Sequence, residues 1–145
     1  MKRIVYSLYK IYRQSKKHYL PITRDILQTI TAATLQNIED LNLHTCFLLS
    51  FAAFLQMGEV TYSAKDSLGS NWFFETKVTQ SCIKFLENND YVRLYLKHSK
   101  TNIKNEGTII LVVAINSLLC LVKALLQLFK LDPQQLNAPL FSFSS

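Results

Sequence analysis

Between residues 82 and 97 the hydrophobic pattern of this chain changes period, and that change restricts the fold more than any other feature. Cys82 to Leu86 and Tyr91 to Lys97 alternate in polarity on either side of Glu87-Asn88-Asn89-Asp90. Side chains in an extended strand point alternately to its two faces. Val92, Leu94 and Leu96 therefore face one way, and Tyr91, Arg93, Tyr95 and Lys97 the other. A short polar connection between two such runs predicts an antiparallel hairpin with one apolar, inward face and one basic and aromatic face. Ser99 to Gly107 is a second polar turn. It leads to a third strand at about 108–114, rich in β-branched residues.

Helical patterns flank this meander. Tyr19-Leu20-Pro21-Ile22 is extended, because proline disfavours helix in the residue before it. Thr23 is then an N-cap for a helix running to about Asn37, with Asp25 in its first turn and Ile26, Leu27, Ile30 and Ala33 on its buried face. A second helix is expected from about Asn42 to Met57. It is apolar almost all round and closed by Gly58 in the left-handed conformation. A polar connection follows from Glu59 to about Lys77. Asn116-Ser117 should cap a helix at 118–130, and the apolar Pro139-Leu140-Phe141 comes after it. These elements make an α+β domain, mostly helical with a three-stranded antiparallel β-meander.

The stretch 108–129 is long and apolar enough to be tested as a membrane span. Its first half is strand-like, Asn116-Ser117 interrupts it, and Lys123, Gln127 and Lys130 recur on one helical face. A strand, a cap and an amphipathic helix account for it better than a lipid-facing helix, so no membrane partner is expected. Lys10 and Arg13 break up any secretory h-region at the N-terminus. Three cysteines, Cys46, Cys82 and Cys120, are widely spaced, with no CxxC or Cys/His ligand spacing. They suit buried thiols in an intracellular protein and offer no zinc site, and no cofactor is expected.

Charge is distributed unevenly. Residues 1–24 hold Lys2, Arg3, Lys10, Arg13, Lys16, Lys17 and Arg24 with no acidic residue, whereas the rest of the chain is near neutral within a total of +6. A basic segment at 1–20 on a neutral body at 21–145 is either a polyanion-binding arm or a solvated amphipathic helix over about residues 3–18. No Gly-rich phosphate loop, H-E-x-x-H or G-x-S-x-G occurs, and His18, His44 and His98 lie far apart in sequence.

Several short motifs, in order, carry a family resemblance. Leu20-Pro21-Ile22-Thr23, Phe54-Leu55-Gln56-Met57-Gly58-Glu59-Val60, Ser99-Lys100-Thr101-Asn102, Cys120-Leu121-Val122-Lys123-Ala124-Leu125 and Pro139-Leu140-Phe141 together resemble the N-terminal half of the catalytic domain of tyrosine recombinases. The likeness is to the phage-integrase type, closest in flavour to members from fungal mobile elements. The resemblance implies the fold of the N-terminal half of a DNA breaking-rejoining domain. It makes Lys100 the retained catalytic lysine, sets Gln56 at the position of the first catalytic arginine, and makes Glu59 the acid that braces that arginine. It also implies a duplex-DNA partner, contacted through Lys2, Arg3, Arg13, Lys16, Lys17, Arg93, Lys97 and Lys104, and a nuclear location if the DNA is the host's.

The family's chemistry is phosphoryl transfer from DNA to a tyrosine. It depends on positioning and on charge stabilisation around the phosphate. Gln56 supplies neither the charge nor the fork of a guanidinium, and loss of one preorganised donor costs other enzymes roughly 2.7–4 kcal/mol. The His-x-x-Arg pair and the nucleophilic tyrosine that the resemblance puts downstream do not occur: no histidine follows His98, no arginine follows Arg93 and no tyrosine follows Tyr95. The expectation is a truncated, catalytically inactive relative with weak, non-specific DNA affinity. Two other readings stand beside it. One is a non-catalytic interaction module or incomplete gene product that self-associates through uncovered apolar surface. The other is a small membrane protein.

Overall fold

The computed structural model describes residues 21–34, 37–62, 70–97 and 106–141. In chain order these form α1 (Arg24–Thr34), α2 (Ile38–Ala52), α3 (Met57–Val60), α4 (Asn71–Thr76), β1 (Ile83–Leu86), β2 (Tyr91–Leu96), β3 (Thr108–Val113) and α5 (Leu121–Leu131). The basic segment at 1–20 lies outside the described residues.

The α+β architecture expected from the sequence is the one observed. The three strands form one antiparallel sheet in the order β1-β2-β3. Lys84 pairs with Arg93, which in turn pairs with Leu111, and Tyr91 pairs with Val113. The inner face follows the predicted alternation, with Val92 and Leu94 fully buried and Leu96 nearly so. The turn at Glu87–Asp90 closes with the Asp90 N–H donating to the Glu87 carbonyl at 3.0 Å. Glu87, Asn88 and Asn89 all take positive φ, 46°, 54° and 72°, with the two asparagines at the centre of the turn. That is the primed hairpin geometry, which matches the right-handed twist of the strands, and asparagine tolerates it better than most residues.

Helices cover the inner face. α5 lies against α2 and reaches β3, and α1 packs on α2. Leu48 and Leu49 of α2, Val92 and Leu94 of β2, and Leu125 and Leu128 of α5 belong to one buried cluster. Lys123, Gln127 and Lys130 share the exposed face of α5, as their spacing predicted. The C-terminal stretch completes the core. Thr79 bridges Pro139, the Leu140 N–H donates to the Val78 carbonyl at 3.2 Å, and Leu140 and Phe141 are buried. Among the described residues no helix is long and apolar enough to cross a membrane.

Several boundaries differ from expectation, each for a local reason. α1 ends at Thr34, because Asn37 starts the next helix: its side chain accepts from the Asp40 N–H at 2.9 Å. Asn42 is therefore inside α2, where its amide donates to the Ile38 carbonyl at 3.3 Å. The buried stripe of α1 is centred on Leu27 and Thr31, while Ile26 and Ala33 are exposed. The connection expected from 59 to 77 contains the one-turn α3 and the short α4, whose N-cap Ser70 accepts from the Phe73 N–H at 3.2 Å. α5 begins at Leu121, after Cys120, because the Ser117 hydroxyl accepts from the Leu119 N–H at 3.2 Å in a preceding turn and does not cap the helix.

Candidate functional site

The end of α2 carries the first motif, and its local geometry decides where Gln56 and Glu59 point. α2 stops at Ala52 through a bond from the Leu55 N–H back to the Ser50 carbonyl at 3.0 Å. This is the six-to-one closure of a Schellman motif, with Phe54 in the left-handed position usually held by glycine. Phe54 has φ 53° and is 94% exposed. Gly58, expected to end the helix, instead lies inside α3, and a Cβ added there would meet nothing within 4 Å. Its freedom is not what turns the chain.

Gln56 is the residue before α3, and Glu59 reaches back to it. The Gln56 N–H donates to Glu59 Oε2 at 2.8 Å, and the Glu59 N–H donates to the Gln56 carbonyl at 2.9 Å. A carboxylate at the third helical position accepting from the N-cap amide is one half of a capping box. Glu59 is thus engaged by main chain, and the Gln56 side chain is exposed.

Two lysines join this end of the molecule together. Lys77 Nζ donates to the carbonyls of Gly58 at 2.9 Å and Thr61 at 3.1 Å, and sits 5.9 Å from the centre of the Trp72 ring. Lys97, at the end of β2, donates to the Phe74 carbonyl at 2.7 Å. Each ammonium neutralises carbonyls at the end of a short helix, where partial negative charge collects. The strand end that leads to Lys100 is thereby tied to α4, and α4 to α3. Lys100 and Lys104 fall between β2 and β3 in sequence, outside the described residues, as do Lys2, Arg3, Arg13, Lys16 and Lys17. Lys97 is a half-buried helix-end partner.

Arg93 is half-buried on the outer face of the sheet, between Lys84 and Leu111. Tyr91 and Tyr95 flank it on β2. Tyr95 lies against Gly107: a Cβ at residue 107 would collide with the Tyr95 ring and hydroxyl, so glycine is required for the ring to lie there. No acidic side chain occurs in the three strands. The face carries Lys84, Arg93, two tyrosines and the aliphatic row Ile109, Leu111 and Val113.

The buried polar groups are structural. His44 Nδ1 is 3.2 Å from Thr31 Oγ1, and the ring also bonds the Leu118 backbone. Burial lowers the His44 pKa from its usual value, and the Leu118 bond partly opposes that shift. The Tyr62 hydroxyl donates to the Val78 carbonyl at 2.9 Å and accepts from the Phe141 N–H at 3.5 Å. It links the segment after α3 to the C-terminal stretch, and burial raises its pKa strongly. All three cysteines are free and buried. Burial pushes the Cys46 thiol up to about 11, against a smaller opposing effect of Ser50. Among the described residues no three His, Cys, Asp or Glu side chains gather into a metal-binding group. His44 is the one histidine described; its ring is held by the Leu118 backbone and by the buried Thr31 hydroxyl, which itself donates to the Leu27 carbonyl at 2.9 Å. His18 and His98 lie outside the described residues.

An apolar groove of about 570 Å³ runs between the start of α1 and the end of α2, lined by Ile22, Leu27, Phe47, Phe51, Phe54 and Leu55 among others. A second depression of about 520 Å³ adjoins it at Phe51 and is bordered by Arg24, Val113, Ile115 and Asn116. Sequence reasoning missed the roles of Lys77 and Tyr62, because no periodicity marks a lysine that will bond a carbonyl or a tyrosine that will clasp distant segments at Val78 and Phe141. Comparison with known proteins finds no family model, curated protein or solved structure that matches this chain.

Proposed function

We propose that this chain is a non-catalytic, tyrosine recombinase-like module that binds duplex DNA weakly and without sequence preference. The observation that carries the reading is the order of elements around the motifs: two helices, the Gln56–Glu59 turn, a three-stranded meander whose second connection contains Lys100, then α5. That order is the one the resemblance implies. The lysine–carbonyl bonds through α4 add support, since they tie the end of β2 to the helix turn that carries Gln56 and Glu59.

The contact surface in this reading is electrostatic. Arg93 and Lys84 on the acid-free sheet face, the lysines between β2 and β3, and the basic residues of segment 1–20 neutralise phosphates, which gives affinity without base readout. Gln56 brings no positive charge to a scissile phosphate, where the arginine that the resemblance implies would supply one. Binding without cleavage follows.

The test is a gel shift on random-sequence duplex at low salt, run beside a nicked suicide substrate that traps covalent protein–DNA adducts. The expected result is a salt-sensitive shift and no adduct. No shift at low salt removes the binding half of the proposal, and a covalent adduct removes the non-catalytic half.

A further inference from the structure

We propose that β3 is a homodimerisation edge, on which two copies of the chain pair their β3 strands antiparallel about a two-fold axis to form a continuous six-stranded sheet. The inference is independent of DNA binding and rests on the strand itself.

β3 is an edge strand. It pairs with β2 along one side, and no strand lies along its other side among the described residues. An edge presents a row of backbone donors and acceptors that another extended strand can satisfy. Soluble proteins usually guard such edges with lysine, proline, a bulge or very short length. Thr108-Ile109-Ile110-Leu111-Val112-Val113 has none of these: six residues, no charge, no proline, no glycine and high β propensity. The other edge is different, since β1 is four residues long and carries Lys84 exposed on its outer face. Among the described residues, β3 is the longer and less guarded of the two edges.

The side chains select a second copy as the occupant. Ile109, Leu111 and Val113 share the outer face and are 58%, 61% and 54% exposed, unusual for three aliphatic residues in one row. Strand pairing keeps directly opposite residues on the same face. A two-fold axis at Leu111 therefore sets Leu111 against its own copy and Ile109 against Val113 of the other chain, joining two exposed rows into one apolar stripe. An isologous interface requires this self-complementarity. Charge does not oppose it. β3 has no ionisable side chain; on this face Arg93 is one strand inward, and Arg24 borders the depression at the Val113 end of the strand. Across the dimer the two Arg93 positions are three strand spacings apart, about 14 Å. That exceeds the screening length of about 8–10 Å at ordinary ionic strength.

Pairing of two edges gives an interface at the small end of the range, so a concentration-dependent dimer is expected. Sedimentation velocity of the full chain over about 5–200 μM should show monomer passing to dimer and no larger species. Leu111→Lys, at an exposed position, should leave far-UV circular dichroism unchanged and abolish the dimer. Leu111→Cys should give a disulfide-linked dimer under mild oxidation, while Lys84→Cys on the opposite edge should not; the three native cysteines are buried and do not confuse the readout. A monomer across the whole range overturns the proposal, as does a Leu111→Lys variant that still dimerises. Open-ended aggregates in place of a dimer also overturn it, because a two-fold pairing closes. So does a monomer whose β3 amides are all protected from hydrogen exchange, because another segment of the same chain then covers the edge.

Discussion

Phe54→Gly is expected to stabilise the fold, and Phe54→Ala is not, a reversal of the usual order of these two residues. Phe54 holds φ 53° at the end of α2. An L-residue in that conformation pays roughly 1–2 kcal/mol for the approach of its Cβ to the following carbonyl. The ring is 94% exposed. Its removal therefore loses about a twentieth of an aromatic side chain's burial, some 10–15 Å² or about 0.3 kcal/mol. Glycine relieves the backbone cost but has more freedom to lose on folding, by roughly 0.5–1 kcal/mol. The net gain is about 0.5 kcal/mol, a rise in Tm of about 1–2 °C for a chain of this size. Alanine keeps the Cβ and the strain while losing the ring, so it should fall about 1 kcal/mol below glycine. Urea denaturation of the three proteins at matched m-values measures the difference. Equal stability of the two variants, or a more stable alanine, refutes the argument that Phe54 ends α2 in a left-handed turn.

Other expectations follow from the buried groups. Burial lowers the His44 pKa below its ordinary 6.5, so between the folded value and 6.5 the unfolded chain binds more protons and stability rises with pH. The contribution is complete above 6.5 and is lost as pH falls through the folded value, at no more than about 1.4 kcal/mol per pH unit for one proton. Urea melts of wild type and His44→Gln between pH 5 and 8 should differ by that slope, and parallel curves would show that His44 does not titrate on unfolding. Lys97→Met removes the ammonium that bonds the Phe74 carbonyl at 2.7 Å and should destabilise by about 1–2 kcal/mol, read by the same melts; a neutral outcome would mean that α4 is held without it. Cys46, buried and with its thiol raised to about 11, should resist iodoacetamide at pH 8 in the folded protein and react on unfolding, as mass spectrometry of the digested chain would report.

The sheet was legible because its chemistry is periodic. Val92, Leu94 and Leu96 alternate with polar and aromatic neighbours, and the Asn88-Asn89 pair is suited to the left-handed turn it makes. The helix ends were less legible, because sequence cues competed. Asn37 and Asn42 both suit a cap, and the first acts as one, with the acidic Glu39 and Asp40 in the first turn that follows it. Gly58 suits a helix stop better than Phe54 does, yet the Leu55–Ser50 bond closes α2 four residues earlier. α3 and α4 are too short for an amphipathic pattern to emerge, so a polar-looking stretch concealed the buried Phe73. Of the candidate site, the Gln56–Glu59 relation is partly readable: Glu59 falls three residues after Gln56, the capping-box spacing, and its carboxylate is held by the Gln56 main-chain N–H. The ties of Lys77 and Lys97 to distant carbonyls were not readable, because they depend on tertiary packing.

Duplex-DNA affinity measured by fluorescence anisotropy across a salt titration tests the proposed function most directly. Neutralisation of Z phosphates gives a log–log slope of about −0.9Z. With contacts shared among segment 1–20, the β2–β3 connection and Arg93, Z of about four to six predicts a slope between roughly −3.6 and −5.4. The slope should be the same for unrelated sequences. Absence of binding at low salt, or binding that salt does not weaken, would contradict the account.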